Sequence, residues 1–450
     1  MRGRFLVLIF SSWTLLSLQA RAQSAAELGD LRGLAPVTVL LTSPEGKAAL
    51  DANLKVTGGI QTGTIHQSTL LPFPEEQELA LQDATITGAN LADLADGLGT
   101  TLGAAYLARA HCSDAKHCTE ISKAVAEIIA YATTTSGSHS NAGKYLFANE
   151  TKDGTAPVSD AAAEILSEMQ GQADVFGKAY NLPAGSPGAD KFGDSRPFQT
   201  EPTVTRFEGT DYFNVRTDNT AYNRGPMMNL VDSPSYPSGH TTYGYTGALL
   251  LALMVPERYQ QMIARGAEYG NDRIIVGAHY AMDVLGGRAL AMHDVAHLLA
   301  NDPEYAGQTV RGVSTIRDFR AALAAARTEL TAALQAGCGK KISECAREDI
   351  GRFSNAAANA DFYGETQTYN LGVVYAQQEN SVEDVGKLAH EAGYLLTFAF
   401  PSLTLEQADR ILTETEGPGG GFLDTGSEFG VYSRLNLYAA AERAKALETR

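Results

Sequence analysis

The chain has 450 residues and a formal net charge of −17 at pH 7. That length suits one large domain or two ordinary ones. The acidic balance argues against nucleic acid and anionic membrane surfaces as partners, because both require a basic footprint. An anionic substrate would therefore need a local basic pocket.

The N-terminus has the pattern of an export signal. Arg2 and Arg4 precede the apolar stretch Phe5–Leu18, and the Ala-Arg-Ala of residues 20–22 forms a small-residue cleavage site. We predict a signal peptide over residues 1–22 and a soluble, periplasmic or secreted mature protein. A membrane anchor is the alternative, but this apolar run is shorter than the roughly eighteen residues that a span needs, as is every later run.

The rest of the chain is predicted to be mostly helical. Residues 23–75 are the exception, since a Val- and Thr-rich run and a Gly/Thr-rich stretch indicate irregular or short extended structure. Apolar residues spaced by three to four positions predict helices over 76–107, 119–132, 157–180, 241–270, 279–300, 314–336, 405–414 and 434–448. The segment 181–237 is predicted to be a long loop, and loops of that length in compact domains are usually functional.

The four cysteines form two close pairs, Cys112/Cys118 and Cys338/Cys345. Four cysteines allow three connectivities, and we predict local pairing in an oxidising compartment. The alternative is a metal site that includes the histidines flanking the first pair, but the spacing matches no zinc-ligand pattern. We therefore predict no metal site.

Two further histidines, His293 and His297, are four residues apart in a predicted helix. They could form half of a metal site, but the sequence offers no evident third ligand. We interpret them as part of a polar helix face.

One candidate site begins at Pro237-Ser238-Gly239-His240, just before a predicted helix. A helix N-terminus offers free backbone N–H groups and the positive end of the helix dipole, which together suit an anion. Gly239 lets the backbone approach a phosphate closely, and Ser238 adds a hydroxyl donor. Taken alone, the motif also fits an ordinary turn and helix cap.

A second motif runs from Arg273 to His279 and Asp283. The four-residue spacing of His279 and Asp283 places both on one face of a helix, where the carboxylate can fix the tautomer of the imidazole. The other ring nitrogen is then available to attack phosphorus. The planar guanidinium of Arg273 suits two phosphate oxygens.

A third element, Arg196-Pro197-Phe198, lies upstream. Together the three motifs resemble the signature of the type 2 phosphatidic acid phosphatase superfamily, which includes class A bacterial acid phosphatases and vanadium haloperoxidases. The resemblance is strongest to the class A acid phosphatases. It implies an all-α fold, a helical bundle of the acid phosphatase/vanadium-dependent haloperoxidase type.

The resemblance also implies the organisation of the chain. The helical domain is predicted over 90–330, preceded by an N-terminal extension over 23–89 that is partly irregular. A C-terminal extension over 331–450 follows it.

The resemblance assigns each motif residue a role. His279 would be the nucleophile, Asp283 its orienting carboxylate, and His240 the proton donor to the leaving group. The phosphoryl oxygens would be bound by Arg196, Arg273, Ser238 and Gly239.

The chain departs from the family pattern at one position. The family places a lysine seven residues before the Arg of Arg-Pro, where this chain has Ala189. Lys191 is five residues before Arg196, and on a helix five residues turn about 140° away. Lys191 can therefore bind phosphate only if residues 188–195 form a loop, and the alternative is a solvated lysine.

These features predict a metal-independent acid phosphatase acting on small soluble phosphate monoesters, with no cofactor. The main alternative is a vanadium-dependent haloperoxidase, in which the same pocket binds vanadate as cofactor, because vanadate resembles the phosphoryl transition state. Tyr280 favours the phosphatase, since haloperoxidases often have Trp after this histidine. A catalytically inactive binding module, a phosphodiesterase and a diphosphate-lipid hydrolase are further alternatives.

Overall fold

The structure is a computed structural model. It describes residues 25–65, 70–86, 91–114, 117–148, 159–172, 174, 177–178, 184–225, 228–310 and 312–448. The predicted signal peptide lies outside the described residues.

Helices dominate the described chain, which confirms the all-α prediction. The α-helices are α1 (Ala25–Leu34), α2 (Val39–Thr42), α3 (Pro44–Thr62), α4 (Phe73–Asp83), α5 (Thr100–Leu107), α6 (Lys123–Phe147), α7 (Asp160–Glu168), α8 (Pro197–Thr200), α9 (Asn219–Asn223), α10 (Gly239–Met254), α11 (Tyr259–Ile275), α12 (Ala281–Ala300), α13 (Phe319–Cys338), α14 (Ile342–Ala346), α15 (Ala356–Glu365), α16 (Val385–Leu388), α17 (Tyr394–Thr397), α18 (Leu405–Glu414) and α19 (Leu437–Glu448). Short 3₁₀ helices occupy Ala35–Thr38, Leu91–Leu98, Pro256–Arg258, Arg352–Ser354, His390–Gly393 and Gly430–Ser433. The strands are β1 (Cys112–Asp114), β2 (His117–Cys118), β3 (Glu208–Thr210) and β4 (Arg216–Asp218), and they form the antiparallel pairs β1–β2 and β3–β4.

The prediction of irregular or extended structure for residues 23–75 is wrong for most of that segment. Helices cover nearly all of Ala25–Thr62. Ser43 caps α3 by accepting a hydrogen bond from the Gly46 amide at 2.8 Å, and Pro44 opens the helix. Glycine and threonine lower helix propensity, but burial of the Gly58–Ile60 face against the rest of the protein outweighs that preference.

Several predicted helices have different boundaries. The predicted helix 241–270 is two helices, α10 and α11, because Pro256 removes a backbone donor between them. The predicted helix 76–107 ends at Asp83 and resumes as α5 after a 3₁₀ segment. The predicted helix 119–132 extends through α6 to Phe147.

The apolar helix α10 is central, and it packs against α6, α11 and α12. Helix α12 also packs against α6 and α11. The main hydrophobic core includes residues from Ala26 to Ala444 and therefore draws on all three predicted segments, 23–89, 90–330 and 331–450. The domain boundaries at 89 and 330 stay a prediction.

The cysteine pairing is local, as predicted. Cys112 bonds Cys118 across the β1–β2 pair, and Cys338 bonds Cys345 at the end of α13. Within the described ranges, no helix combines the length and apolar composition needed to cross a membrane.

Candidate active site

The site lies where the N-terminus of α10, the turn between α11 and α12, and the segment 190–196 meet. The Ser238 amide donates to the Asp283 carbonyl at 3.0 Å, which joins the start of α10 to the first turn of α12. Gly287 permits this approach, because a Cβ there would lie 2.5 Å from the Ser238 carbonyl oxygen. The distant motifs thus form one site.

The position of His279 is fixed by the end of α11. The Arg273 carbonyl accepts from the amides of Ala278 and His279 at 3.0 and 3.1 Å. Gly277 turns the chain with a φ of 79°, a conformation that glycine adopts without steric cost. Arg273 and His279 are therefore held at opposite ends of one tight turn. The predicted helix 279–300 begins at Ala281, so His279 precedes it.

Asp283 orients His279 from the first turn of α12. Its Oδ2 lies 3.2 Å from His279 Nδ1 and accepts from the Tyr280 amide at 2.9 Å. The Ser235 hydroxyl donates to the same oxygen. The carboxylate thus caps α12 and favours the His279 tautomer with a proton on Nδ1.

The second nitrogen of His279 faces Arg196. Arg196 Nη1 lies 2.9 Å from His279 Nε2 and 3.1 Å from the Ala278 carbonyl oxygen. The remaining guanidinium donors bind the Ser233 and Pro234 carbonyls and the Ser233 hydroxyl. Because Arg196 only donates, it contacts the unprotonated lone pair of Nε2.

His240 lies in the first turn of α10, with its ring centroid 6.0 Å from that of His279. Its Nε2 is 3.0 Å from the Tyr222 hydroxyl. Sequence reasoning did not identify Tyr222, which follows no motif and reaches the site from the short helix α9. It orients the imidazole and couples it to Arg273, whose Nη1 is 3.4 Å from the same hydroxyl.

Ser238 and Gly239 form the start of α10. The Ser238 hydroxyl accepts from the Thr241 amide at 3.1 Å, so the capping role that its motif allowed is present. The Thr242 amide donates to the Ser238 carbonyl. The amides of Gly239 and His240 remain first-turn donors without an intrahelical acceptor.

Arg273 is fully buried and has few strong partners in the described structure. Its guanidinium carbon lies 4.6 Å from the centroid of the Tyr269 ring, and Nη2 is 3.4 Å from the Ala80 carbonyl oxygen. Its Nε makes no hydrogen bond to a described residue. These unfilled donors suit an anionic ligand.

The structure does not bring Lys191 into this site. The Asp190 side chain accepts from the Phe192 amide at 3.0 Å and turns the loop, and the Phe192 ring packs edge-on against Tyr145. Lys191 consequently faces solvent, with its Nζ 5.3 Å from the Phe192 ring centroid. Segment 188–195 is a loop, as the lysine hypothesis required, but the loop directs Lys191 outward.

A different lysine is buried beside the site. Lys144 of α6 donates from Nζ to the Pro234 carbonyl at 2.7 Å and to the Ser235 carbonyl at 3.3 Å. No motif marks it. The available signal is a row of small residues at four-residue steps on α6 (Ala132, Ser136 and Ser140) that ends at Lys144.

Burial and the nearby cations together set the protonation of both site histidines. Burial and the charge of Arg196 hold the pKa of His279 well below its usual range. Burial and the charge of Arg273 do the same for His240. Burial also raises the pKa of Asp283. Both imidazoles are therefore neutral around pH 7, and an anion that offsets the cations would favour protonation of His240.

Comparison with known proteins agrees with this geometry. Residues 191–301 match the family model described as the PAP2 superfamily. The chain is 41% identical over 96 residues to the non-specific acid phosphatase of Salmonella typhimurium, a match covering 21% of this chain and 32% of that protein. It is 38% identical over 84 residues to an acid phosphatase of Zymomonas mobilis, covering 19% of this chain and 32% of that protein.

The match to the non-specific acid phosphatase of Providencia stuartii is longer, at 30% identity over 159 residues, and covers 33% of this chain and 62% of that protein. The chain thus spans between about a third and three fifths of the length of these relatives.

All eight site residues predicted from the sequence lie within the segment that matches the PAP2 superfamily model. The chain is similar to the non-specific acid phosphatases, which confirms the resemblance to class A enzymes.

Proposed function

We propose that the protein is an exported acid phosphatase that hydrolyses soluble phosphate monoesters through a phosphohistidine at His279. The observation that supports this most directly is the arrangement of His279, with Nδ1 beside Asp283 and Nε2 directed at Arg196. The similarity to acid phosphatases supports the same chemistry. The predicted signal peptide supports export.

In the first step, the His279 Nε2 lone pair attacks phosphorus and the bond to the ester oxygen breaks. Arg196 moves its hydrogen bond from Nε2 to a phosphoryl oxygen, while Arg273 and the Gly239 amide bind the others. These donors stabilise the charge that develops in the transition state. His240 gives its proton to the leaving oxygen, so the alcohol departs neutral.

In the second step, water attacks the phosphohistidine. His240, now neutral, takes a proton from the water as the phosphorus–nitrogen bond breaks. The products are inorganic phosphate and His279 with its Nε2 lone pair restored. Asp283 keeps the Nδ1 proton in place throughout, which stabilises the positive charge on the ring.

The cations that bind phosphate in this scheme all belong to the protein, so we propose that hydrolysis requires no metal. The test is p-nitrophenyl phosphate hydrolysis across acid to neutral pH on the purified mature protein, with and without chelator. We expect turnover that resists the chelator and is inhibited by vanadate. Loss of activity with chelator, and its return with a divalent ion, would contradict the proposal.

The haloperoxidase alternative is tested on the same preparation. After vanadate loading, we expect no halide oxidation by peroxide. Halide oxidation that requires vanadate, over negligible ester hydrolysis, would reassign the pocket to vanadate chemistry.

Two basic residues provide a matched test of the phosphate pocket. Arg273→Ala removes a buried guanidinium beside His240 and is expected to lower kcat/KM by about 100-fold or more. Lys191→Ala changes an exposed side chain and is expected to cost less than about threefold. Equal losses for the two variants would show that Lys191 reaches the pocket during turnover.

A further inference from the structure

The phosphate pocket contains a lysine that the sequence motifs do not include. The family position seven residues before Arg196 is Ala189, and Lys191 faces solvent. Lys144 lies outside the segment that matches the family and reaches the site from α6, a different helix. The ammonium group beside the site therefore comes from α6 and not from the loop before Arg196.

Lys144 is 7% exposed, and its Nζ shares an acceptor with Arg196. The Pro234 carbonyl accepts from Lys144 Nζ at 2.7 Å and from Arg196 Nη2 at 3.1 Å. Two cations thus converge on one buried carbonyl. An ammonium has three donors, and the carbonyls of Pro234 and Ser235 use two of them.

The face of α6 that carries Lys144 also borders Gly239, at the N-terminus of α10 where the phosphate is proposed to bind. A Cβ at Gly239 would lie 3.5 Å from Lys144 Cε and 3.4 Å from Ser140 Oγ. Ser140 is fully buried, and its hydroxyl has no hydrogen-bond partner among the described residues. A buried hydroxyl without a partner costs free energy unless a ligand supplies one. Two donors of α6 therefore border the start of α10.

The charges around Lys144 favour the binding of an anion. Burial and the charge of Arg196 hold the pKa of Lys144 well below its usual range, despite the carboxyl groups of Asp194, Asp283 and Asp190. Burial and Asp283 also raise the pKa of Asp194, which reduces its negative charge. A phosphate dianion would offset both cations.

We infer that Lys144 binds a phosphoryl oxygen of the substrate and supplies, from α6, the ammonium that the loop before Arg196 does not provide. This inference rests on the proposed phosphatase function. Charge-assisted hydrogen bonds to phosphate are stronger than neutral ones, and a buried amine makes them in a site that excludes water.

A purely structural role for Lys144 is the competing explanation, since it also holds the Pro234–Ser235 backbone. Two substitutions separate the roles. Lys144→Gln keeps N–H donors for the two carbonyls but loses the charge, whereas Lys144→Arg keeps the charge. A third substitution, Lys144→Met, removes both the charge and the N–H donors. Its matched control is Lys123→Met, because Lys123 is an exposed lysine at the other end of α6.

The first measurement is binding of inorganic phosphate and of orthovanadate, read from the rise in Tm of each variant. We expect Lys144→Met and Lys144→Gln to lose about 10- to 100-fold in affinity, with Lys144→Arg in between and Lys123→Met unchanged. If Lys144→Met does not fold, Lys144→Gln gives the same comparison. This measurement does not depend on turnover, so it tests Lys144 even if the wild-type protein hydrolyses no ester.

The second measurement is the pH profile of kcat/KM for p-nitrophenyl phosphate. Lys144, Arg196 and Arg273 all lower the pKa of His279, which must be unprotonated to attack. Loss of the Lys144 charge raises that pKa, so the acid limb of the profile moves to higher pH in Lys144→Gln and not in Lys144→Arg. A role limited to holding the loop would not move the limb.

Wild-type phosphate affinity in Lys144→Gln, with an unmoved acid limb, would overturn the inference. A loss in Lys191→Met equal to that in Lys144→Met would also overturn it, because the loop lysine would then be the ligand. Absence of ester hydrolysis by the wild-type protein, with phosphate binding still dependent on Lys144, would instead overturn the proposed phosphatase function alone.

Discussion

The protein buries two pairs of histidines between α6 and its neighbours in opposite electrostatic surroundings. The pocket histidines, His240 and His279, lie among arginine and lysine, which together with burial hold their pKa values well below the usual range. The ion-paired histidines, His139 and His293, lie between the carboxylates of Asp30 and Asp294. Burial opposes their protonation, but these carboxylates raise the pKa of His293 to about 10 and that of His139 well above its usual range.

The contrast shows that burial alone does not decide what a histidine does. Burial favours the neutral imidazole in both places. In the pocket, cations act in the same direction and keep a lone pair available. In the other cluster, two carboxylates overcome burial, so each imidazole becomes a cation that joins α1, α6 and α12. One cluster is suited to chemistry, and the other to holding the fold.

The interpretation of His293 and His297 as a polar helix face is wrong for His293. Its side chain is only 12% exposed, and its Nδ1 lies 2.9 Å from Asp30 Oδ1. The partner comes from α1, in the segment that the sequence predicted to be irregular. Local spacing therefore did not indicate that Asp30 pairs with His293.

The largest expected effect comes from the pocket. His279→Ala should lower kcat by at least about 10³-fold, because it removes the nucleophile. Its Tm should stay near that of the wild-type protein. Steady-state hydrolysis and a thermal melt on the same sample measure both. Substantial residual turnover would show that His279 is not the attacking group.

The second-largest effect is expected on stability and not on activity. Asp30→Asn removes a charge shared by both ion-paired histidines, and breaking a buried ion pair costs roughly 3–5 kcal/mol of unfolding free energy. Urea denaturation measures it, with Asp51→Asn at an exposed position of α3 as the matched control. The kcat of the folded fraction should change little. A large fall in kcat without loss of stability would mean that the two clusters are coupled.

The third effect is on the pH dependence of stability. The pKa of His293 is raised in the folded state, so its contribution is fully present below the unfolded pKa of about 6.5. That contribution is lost as the pH rises from about 6.5 to about 10. Denaturation midpoints should therefore decline over this range, and the decline should be shallower in His293→Gln. Identical slopes in the two proteins would contradict the protonation of His293.

The smallest expected effect is that of a chelator on stability. Ligand atoms of Asp30, His293 and Asp294 lie close enough together to hold a metal ion. Protonated histidines already balance these carboxylates, so dialysis against EDTA should leave the Tm unchanged. A lower Tm that recovers with zinc, but not with magnesium, would show instead that the cluster binds a transition metal.

The features that could be predicted from the amino-acid sequence are those that depend on neighbouring residues. Helical periodicity predicted a mostly helical chain, and the close cysteine pairs predicted the disulfides. The resemblance carried by the short motifs implied the all-α fold and the roles proposed for His279, Asp283 and His240. In these cases the relevant contacts lie within one turn or one loop, as with the Arg273 carbonyl and the His279 amide. Local spacing fixes such geometry.

The distant side chains that complete each cluster are brought together by the packing of the helices, which local sequence patterns do not specify. Lys144 and Arg196 meet at the Pro234 carbonyl although they are far apart in sequence, and Asp30 reaches His293 from α1, near the start of the described chain. The helical N-terminal segment likewise depends on burial that overrides weak local propensity. Burial among cations or carboxylates is set by packing between helices, and packing therefore determined the charge that each histidine carries.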